Sequence, residues 1–345
     1  MKYPIGIQDF ESIINGGYVY VDKTALVYRL VTEGKIYFLS RPRRFGKSLL
    51  VSTLEAYFQG KKDLFKGLAI DELETEWVEY PVFHLSFGGE NFIEQGALES
   101  KITTALNKWE ELYGKSPNAI TFGGRFLYTL QAAHQKTGKR VVVLVDEYDK
   151  PLLDVLDTGY STQIEGQERL LEEHHRNILK GFYSVFKEAD ANLQFVLLTG
   201  VTKFSQVSAF SGFNQPDDIS MSRDYEALCG ITETELHHHF KEPIKEMAEV
   251  YHCTEEAMKE RLKRQYDGYH FGYRMTDIYN PFSILNAFSK MQIGDYWFRS
   301  GTPTYLIRLM THTNENLNDL TGKYYDPSQF VDYKADVEKP LQMIY

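Results

Sequence analysis

Cysteine is scarce in this sequence: among 345 residues there are two, Cys229 and Cys253. So few cysteines cannot form the disulfide framework of a small secreted protein and are typical of a reducing compartment. Long apolar runs are also missing, since no stretch approaches the roughly 18–20 residues that span a bilayer. The opening residues, MKYPIGIQDFESIING, contain acids and lack the apolar segment of a signal peptide. The sequence therefore predicts a cytoplasmic protein with no membrane partner.

An excess of positive charge is absent as well, because the formal net charge is −10. Non-specific binding to duplex DNA is driven by neutralisation of phosphates, so this balance argues against a broad DNA-coating surface. A local basic patch remains compatible with it, and nucleic acid stays an open partner. The content of 43% hydrophobic and 25% charged residues is that of an ordinary globular protein able to bury a core.

Short apolar runs alternate with helical patterns through the first part of the chain. We predict a helix at 23–30 capped by Asp22, strands at 36–40, 81–87, 141–145 and 194–199, and helices after residue 47 and at 92–112, 124–136 and 166–187. This alternation predicts an α/β fold with a parallel sheet sandwiched by helices. Beyond about residue 220 charged helical patterns dominate, at 233–248, 254–265 and 282–291. We therefore expect an α/β domain over 1–220 and a smaller, mostly helical domain over 221–345.

The segment Arg41–Ser48 lies between a predicted strand and a predicted helix, where a phosphate-binding loop is expected. It matches the last three positions of G-x-x-x-x-G-K-[ST], while Arg41 replaces the first glycine and Pro42 removes one N–H. Gly46 lets the chain wrap close to a phosphate, Lys47 offers a charge to the β and γ phosphates, and Ser48 offers a hydroxyl to Mg²⁺. The alternative is a strand-to-helix turn with a chance Gly-Lys-Ser.

Neighbouring loop residues extend the predicted nucleotide site. Arg43 and Arg44 add two fork-shaped donors that can grip phosphate or an acidic surface. The N–H groups at the start of the following helix point at the anion. The predicted nucleotide-binding residues of this segment are Arg43, Arg44, Phe45, Gly46, Lys47, Ser48 and Leu49.

A second motif is the apolar run 141–145 followed by Asp146 and Glu147. Side chains at the carboxyl end of a parallel strand emerge at the sheet edge where ligands bind. We expect Asp146 to hold Mg²⁺, through water, and Glu147 to orient or deprotonate the attacking water. The alternative is an exposed turn after a core strand. Asp149 is either a third acid of the site or a helix cap or turn residue.

Polar residues follow the fourth predicted strand, where Thr199, Thr202 and Lys203 are candidates to contact the γ phosphate or the water. An ordinary turn is the alternative, and Thr199 is the residue we retain as catalytic. The loop 266–272, YDGYHFG, either meets the nucleotide or the first domain or is a packed turn. Consecutive histidines, at 174–175 and 237–239, lack ligand spacing and are interpreted as solvated helix faces.

Three segments resemble the predicted AAA-type ATPase family: IGIQDFESIINGGYVYVDKT (5–24), RPRRFGKS (41–48) and LVDEYDKPL (144–152). LLTGVTKFS (197–205) and YDGYHFG (266–272) are similar to later parts of the same pattern. The resemblance implies an AAA- or STAND-like P-loop NTPase core, an arginine at position 41 as a family feature, and Asp22 near the adenine. Many such proteins carry a restriction-like nuclease domain with an E-x-K carboxylate set. We do not find that set, and we expect a shortened chain without the nuclease, since it stops at KPLQMIY (339–345).

The expected function is Mg²⁺-dependent ATP hydrolysis that drives a movement of residues 221–345, with ATP and Mg²⁺ as cofactors. Lys47, Glu147 and Thr199 are the expected catalytic residues, and Ser48 and Asp146 the expected metal ligands. One alternative is a nucleotide-gated binding module with little hydrolysis and a protein partner on residues 221–345. Another is the regulatory half of a nucleic-acid-processing system.

Overall fold

The computed structural model describes residues 1–164, 166–202 and 216–297. Its main sheet, within these residues, has five strands in the order β2-β3-β6-β1-β7. Their bounds are Ile36–Ser40 for β1, Val82–Ser86 for β2, Val141–Asp146 for β3, Leu193–Gly200 for β6 and Asp217–Asp218 for β7. The β2–β3 and β3–β6 ladders are parallel. The sheet is mostly parallel and flanked by helices, which confirms the predicted α/β class and P-loop-type fold.

The chain forms two compact units. The first unit consists of residues 1–79 and the described residues from 218 onward, and the second unit consists of the described residues of Tyr80–Asp217. In the first unit the early elements are α1 (Phe10–Asn15), α2 (Thr24–Glu33), β1, α3 (Lys47–Phe58), a 3₁₀ turn (Lys62–Phe65) and α4 (Ala69–Leu73). Its later elements are β8 (Ile231–Thr232), α10 (Glu233–His239), α11 (Lys241–Val250), α12 (Glu255–Tyr266), β9 (Ile278–Tyr279) and α13 (Pro281–Lys290).

The later helices of the first unit begin where their capping residues predict. A capping box joins Thr232 and Glu235 at the start of α10, and Asn280 caps α13, whose first residue is Pro281. The helical pattern predicted over 233–248 corresponds to two helices, since α10 ends at His239 and α11 starts at Lys241. Pro243 explains the break, since it has no N–H for a continuous helix and is tolerated in a first turn.

The second unit contains the other three long strands of the sheet and the helices that cover them. Its elements are β2, α5 (Ala97–Tyr113), α6 (Phe122–Thr137), β3, α7 (Lys150–Leu153), β4 (Ser161–Ile164), β5 (Gln167–Leu170), α8 (Leu171–Tyr183), α9 (Val185–Glu188), a 3₁₀ turn (Asp190–Asn192) and β6. The predicted start of α5 at 92 was wrong, because Gly96 has a left-handed backbone and the helix begins after it. The helix expected over 166–187 begins only at Leu171, because 167–170 pair with β4 in an antiparallel hairpin. It is also interrupted at Ser184, where α8 ends and α9 begins.

Stacked aromatic rings join a helix of the second unit to a strand and two of its helices to each other. The rings of Phe83 and Trp109 lie 4.6 Å apart, and those of Phe126 and Phe182 lie 4.4 Å apart. Such pairs add to the large apolar area that aromatic side chains remove from water. β3 is buried at all six of its positions, as an interior strand covered on both faces requires. None of the helices in residues 1–164, 166–202 and 216–297 has the length and apolarity needed to cross a membrane.

Candidate functional site

The predicted phosphate loop connects β1, which ends at Ser40, to α3, which begins at Lys47. Gly46 is the residue before the helix and has φ 90°, in the left-handed region that glycine adopts without cost. A Cβ on Gly46 would meet no atom within 4 Å, so the backbone conformation is what requires glycine there. Strand, loop and helix are arranged in the order that the motif predicts.

Lys47 is buried, and its ammonium is enclosed by the loop that precedes it. Its Nζ donates to the carbonyl oxygens of Arg41, at 2.8 Å, and Pro42, at 3.0 Å. The loop therefore curls around the lysine side chain. Ser48 and Leu49 follow on the first turn of α3 and are partly exposed. A helix start of this kind presents N–H groups and the positive end of the helix dipole.

The other predicted nucleotide-binding residues of the first unit already have partners there. The Phe45 ring is fully buried, 4.7 Å from the ring of Tyr269 and 5.4 Å from that of Phe271. The Arg44 guanidinium lies 4.0 Å from the centre of the Phe282 ring, and the Arg43 carbonyl accepts from the indole N–H of Trp297. The side chain of Phe45 is thus enclosed by its own unit and is not exposed to a ligand.

Asp22 binds the starts of two helices. Its Oδ1 accepts from the N–H and hydroxyl of Thr24, and its Oδ2 accepts from the N–H of Ala69 at 2.8 Å. The carboxylate therefore accepts the first main-chain N–H of both α2 and α4. Its expected place near an adenine stays a prediction.

In the second unit, the carboxyl ends of three parallel strands bring polar residues together. Asp146 is 4% exposed and is paired in the ladder with Ser86. The hydroxyl of Thr199, on the neighbouring strand, donates to Oδ1 of Asp146, and the N–H of Glu147 donates to the same oxygen at 3.1 Å. Sequence reasoning predicted Asp146 and Thr199 at two strand ends, and the structure joins them directly.

Glu147 turns the chain sharply away from β3. Its φ is 54°, an uncommon left-handed value for a residue with a side chain. Residues held in this region cluster at functional sites. Its carboxylate lies against Gly88, where an added Cβ would be 3.4 Å from Oε2. Sequence reasoning missed Ser86 and Gly88, although a polar strand end followed by two glycines is a visible signal.

Asp149 connects the acid pair's turn to the end of β6. Its Oδ2 accepts from the N–H groups of Val201, at 2.8 Å, and Thr202, at 2.7 Å, and from the Thr202 hydroxyl at 2.8 Å. Although Asp149 precedes α7, its side chain makes no capping bond to that helix. Thr202 is held by this carboxylate, and Lys203, the other candidate here, lies outside the described residues.

The interpretation of the histidines at 174–175 as a solvated face was wrong for His175. Its ring is fully buried on the face of α8 that also buries Leu171 and Leu179 at four-residue spacing, and Nδ1 lies 3.0 Å from the Pro151 carbonyl oxygen. Burial lowers the pKa of His175. His174 instead pairs with Glu99 at 2.6 Å.

The residues that would meet magnesium are oxygen donors. No group of three or more His, Cys, Asp or Glu side chains in the described part of the chain is arranged to hold a metal ion by itself. Mg²⁺ keeps several waters and phosphate oxygens and uses one or two protein ligands, so it does not require such a cage. Taken separately, the Asp146 carboxylate of the second unit and the Ser48 hydroxyl of the first unit are each donors of the kind that Mg²⁺ takes.

The protein has the fold of P-loop nucleotide-binding proteins. That class is defined by a mostly parallel sheet, a Gly-Lys-Ser loop between a strand and a helix, and an acid pair after another strand. The family model described as Predicted AAA-ATPase matches residues 4–210, more than half of the chain, and the protein belongs to this family. Membership supports nucleotide binding in general terms.

A curated relative from Azotobacter chroococcum mcd 1 is named "Uncharacterized protein in vnfD 5'region" and is 41% identical over 312 residues. The match covers 90% of this chain and 56% of the relative, so the chain spans little more than half of that protein's length. No solved structure matches the chain.

Proposed function

We propose that this chain binds ATP with Mg²⁺, hydrolyses it, and couples its nucleotide state to movement of residues 221–345. The observation that carries the proposal is the enclosure of the Lys47 ammonium by the loop between β1 and α3. Membership of the AAA-ATPase family supports the choice of a nucleoside triphosphate as ligand. The reducing cytoplasm remains the compartment that we propose.

On the phosphate side, we assign charge neutralisation to Lys47, whose ammonium would exchange loop carbonyls for β and γ phosphate oxygens. The N–H groups of Ser48 and Leu49 at the helix start would bind the same anion. Arg43 and Arg44 lie within the loop and would supply further donors, while Asp22 is assigned to the adenine end through the family resemblance.

The acid pair is assigned to the metal and the water. Bound Mg²⁺ would supply Lewis-acid neutralisation of the phosphates, held by the Ser48 hydroxyl and by Asp146 through water. Thr199 fixes the Asp146 carboxylate by its hydrogen bond and is our third catalytic assignment. Glu147 would orient the attacking water and accept its proton. Its left-handed backbone supports a functional role for it. Such a conformation costs energy for a residue with a side chain, and residues that retain it cluster at functional sites.

The test measures ATP affinity by calorimetry and phosphate release, both with Mg²⁺, for the full chain and three variants. Lys47→Ala should weaken binding at least tenfold, since a hydrogen bond to a charged group contributes about 1.5–3 kcal/mol. Glu147→Gln should keep binding and lose turnover by about 10²-fold or more. The control is Lys62→Ala, an exposed lysine that should change neither quantity. A wild-type chain that binds no ATP would refute the proposal.

A nucleotide-gated binding module with little hydrolysis is the second candidate. The observation that favours it is Arg41, which is 1% exposed and fills the loop position where active P-loop enzymes have glycine. Tight ATP binding with no phosphate release, unchanged by Glu147→Gln, would support this candidate over the first. In either case, we propose residues 221–345 as the region that meets a protein partner.

A further inference from the structure

The phosphate loop is held by the later residues of its own unit. We propose that Arg41 is a positioning residue that ties the loop to residues 220–271, so that this segment sets the loop's conformation and its affinity for nucleotide. This inference rests on the proposed function for its nucleotide part. Under this inference, the arginine at the first glycine position of the motif has a structural role and is not a defect of the loop.

The Arg41 guanidinium is buried and bonded to main-chain carbonyls. Its Nη1 donates to the carbonyl oxygens of Ser40, at 2.9 Å, and Ser220, at 2.6 Å, and its Nη2 donates to that of Tyr225 at 3.3 Å. Its central carbon lies 4.1 Å from the centre of the Phe271 ring. The planar fork of arginine can bind several acceptors in its plane while its face stacks on a ring, whereas the ammonium of lysine is a compact point charge without a flat face.

The main chain of the same residue reaches the lysine of the motif. The carbonyl oxygen of Arg41 accepts from Nζ of Lys47, as does that of Pro42. A side chain anchored to Ser220 and Phe271 therefore fixes the carbonyl that determines where the ammonium lies. A glycine at position 41 would form neither the hydrogen bonds nor the ring contact.

A second connection comes from the other end of the loop. Phe45 is buried against Tyr269 and Phe271, and its carbonyl oxygen accepts from the N–H of Gly230 at 3.1 Å. Gly230 has φ +93°, and a Cβ there would be 2.3 Å from a methyl of Ile278. Phe271 thus contacts both Arg41 and Phe45. A displacement of this one ring is transmitted to both ends of the segment that encloses Lys47.

The experiment compares Arg41→Met, Arg41→Lys, Phe271→Leu and the double variant Arg41→Met/Phe271→Leu in the full chain. Calorimetry with Mg²⁺-ATP measures affinity, and amide hydrogen exchange without nucleotide measures opening of residues 42–49. Arg41→Met and Phe271→Leu should each weaken ATP binding about tenfold and speed exchange in 42–49. The double variant should lose less than the product of the two single losses, because the residues act through one contact. Arg41→Lys should recover little, since its ammonium lacks the fork.

The matched control is Phe288→Leu, a buried ring of the same unit that packs on Phe240 and Tyr3. It should lower stability while leaving ATP affinity and exchange in 42–49 unchanged. Should Arg41→Met fail to fold, Arg41→Lys and Phe271→Leu decide the question. Unchanged exchange in 42–49 and unchanged affinity would overturn the inference. A wild-type chain without ATP binding, together with faster exchange in the variants, would refute the proposed function and leave the connection to Arg41 supported.

Discussion

One oxygen of the Asp149 carboxylate accepts both the N–H and the hydroxyl of Thr202, at 2.7 Å and 2.8 Å. The two residues are 53 positions apart in the chain. Asp149 follows the acid pair closely, while Thr202 follows β6 and the Thr199 that donates to Asp146. The bond therefore fixes the end of β6 relative to the turn that contains Glu147. In the structure, Asp149 therefore positions the residues that follow β6.

Replacement of Asp149 by asparagine should destabilise the protein by about 1–3 kcal/mol. The side chain is 1% exposed, and the loss of a charged acceptor weakens three hydrogen bonds in a buried place. Urea denaturation followed by far-ultraviolet circular dichroism measures the change. The control is Asp157→Asn, since Asp157 is exposed and has φ 53°, which asparagine tolerates. Equal stability of the two variants would contradict the positioning role.

Gly46→Ala should destabilise the nucleotide-free chain by about 1–2 kcal/mol, because its φ of 90° is strained for any residue with a Cβ. No steric clash is expected to add to this, since nothing lies within 4 Å of the added atom. Gly181→Ala is the matched control: it lies within α8, is equally free of contacts, and should stabilise by up to about 1 kcal/mol. Thermal unfolding of both variants separates conformational strain from the mere addition of a methyl group.

Buried apolar runs made much of this fold predictable. The runs at 36–40, 81–87, 141–145 and 194–199 correspond to β1, β2, β3 and β6, and the helix predicted at 124–136 lies within α6. The hairpin of β4 and β5 was missed because all four residues of β5 are exposed, so no burial pattern marked it as a strand. His175 was missed for a different reason, since its four-residue spacing from Leu171 and Leu179 was visible but not used.

The candidate site was predictable where the signal is local. The loop at Gly46 and Lys47 and the strand end at Asp146 follow from short motifs. The partners of Phe45 and Asp149 lie far along the chain, at Tyr269 and Thr202, and no local pattern reports such pairings. Arg41 could be seen to break the motif, but its burial depends on carbonyls near residue 220 that the fold alone brings to it.

The ion pair of Glu110 and Arg125 connects α5 and α6, with Nε of the arginine 2.7 Å from Oε1 and Nη2 2.8 Å from Oε2. We expect Glu110→Gln to lower the free energy of unfolding by about 1–3 kcal/mol near neutral pH, because it removes the charge of the buried acceptor that binds the partly buried Arg125. The hydrogen bonds from Arg125 lower the pKa of Glu110. Its stabilisation is therefore present above the unfolded value, about 4.5, and is lost as pH falls through the lower folded value.

Urea denaturation of wild type and Glu110→Gln at pH 7 and pH 3.5 measures this difference, which should shrink at the lower pH. The adjacent Glu111→Gln is the control, because Glu111 is exposed and should change stability by less than about 0.5 kcal/mol. A difference between wild type and Glu110→Gln that is equal at both pH values would contradict the assignment of the stabilisation to the ionised pair.

The buried His175 should make the protein less stable as the solution becomes mildly acidic. Its pKa is lowered by burial, so the unfolded chain binds a proton more readily than the folded one. The stabilisation that the neutral ring contributes is fully present above the unfolded pKa, near 6.5. It declines as pH falls from there toward the depressed folded value.

His175→Asn removes the titrating ring but keeps an N–H donor for the Pro151 carbonyl. This variant therefore separates the effect of protonation on stability from the effect of losing the hydrogen bond. Urea midpoints at pH 7.5, 6.5 and 5.5 should fall less steeply in this variant than in wild type, although its stability at pH 7.5 is reduced by the smaller side chain. His174→Gln, at the neighbouring and more exposed position, should not flatten the wild-type pH dependence. If His175→Asn retains the full slope, the acid sensitivity arises from other groups, and burial of this ring does not control it.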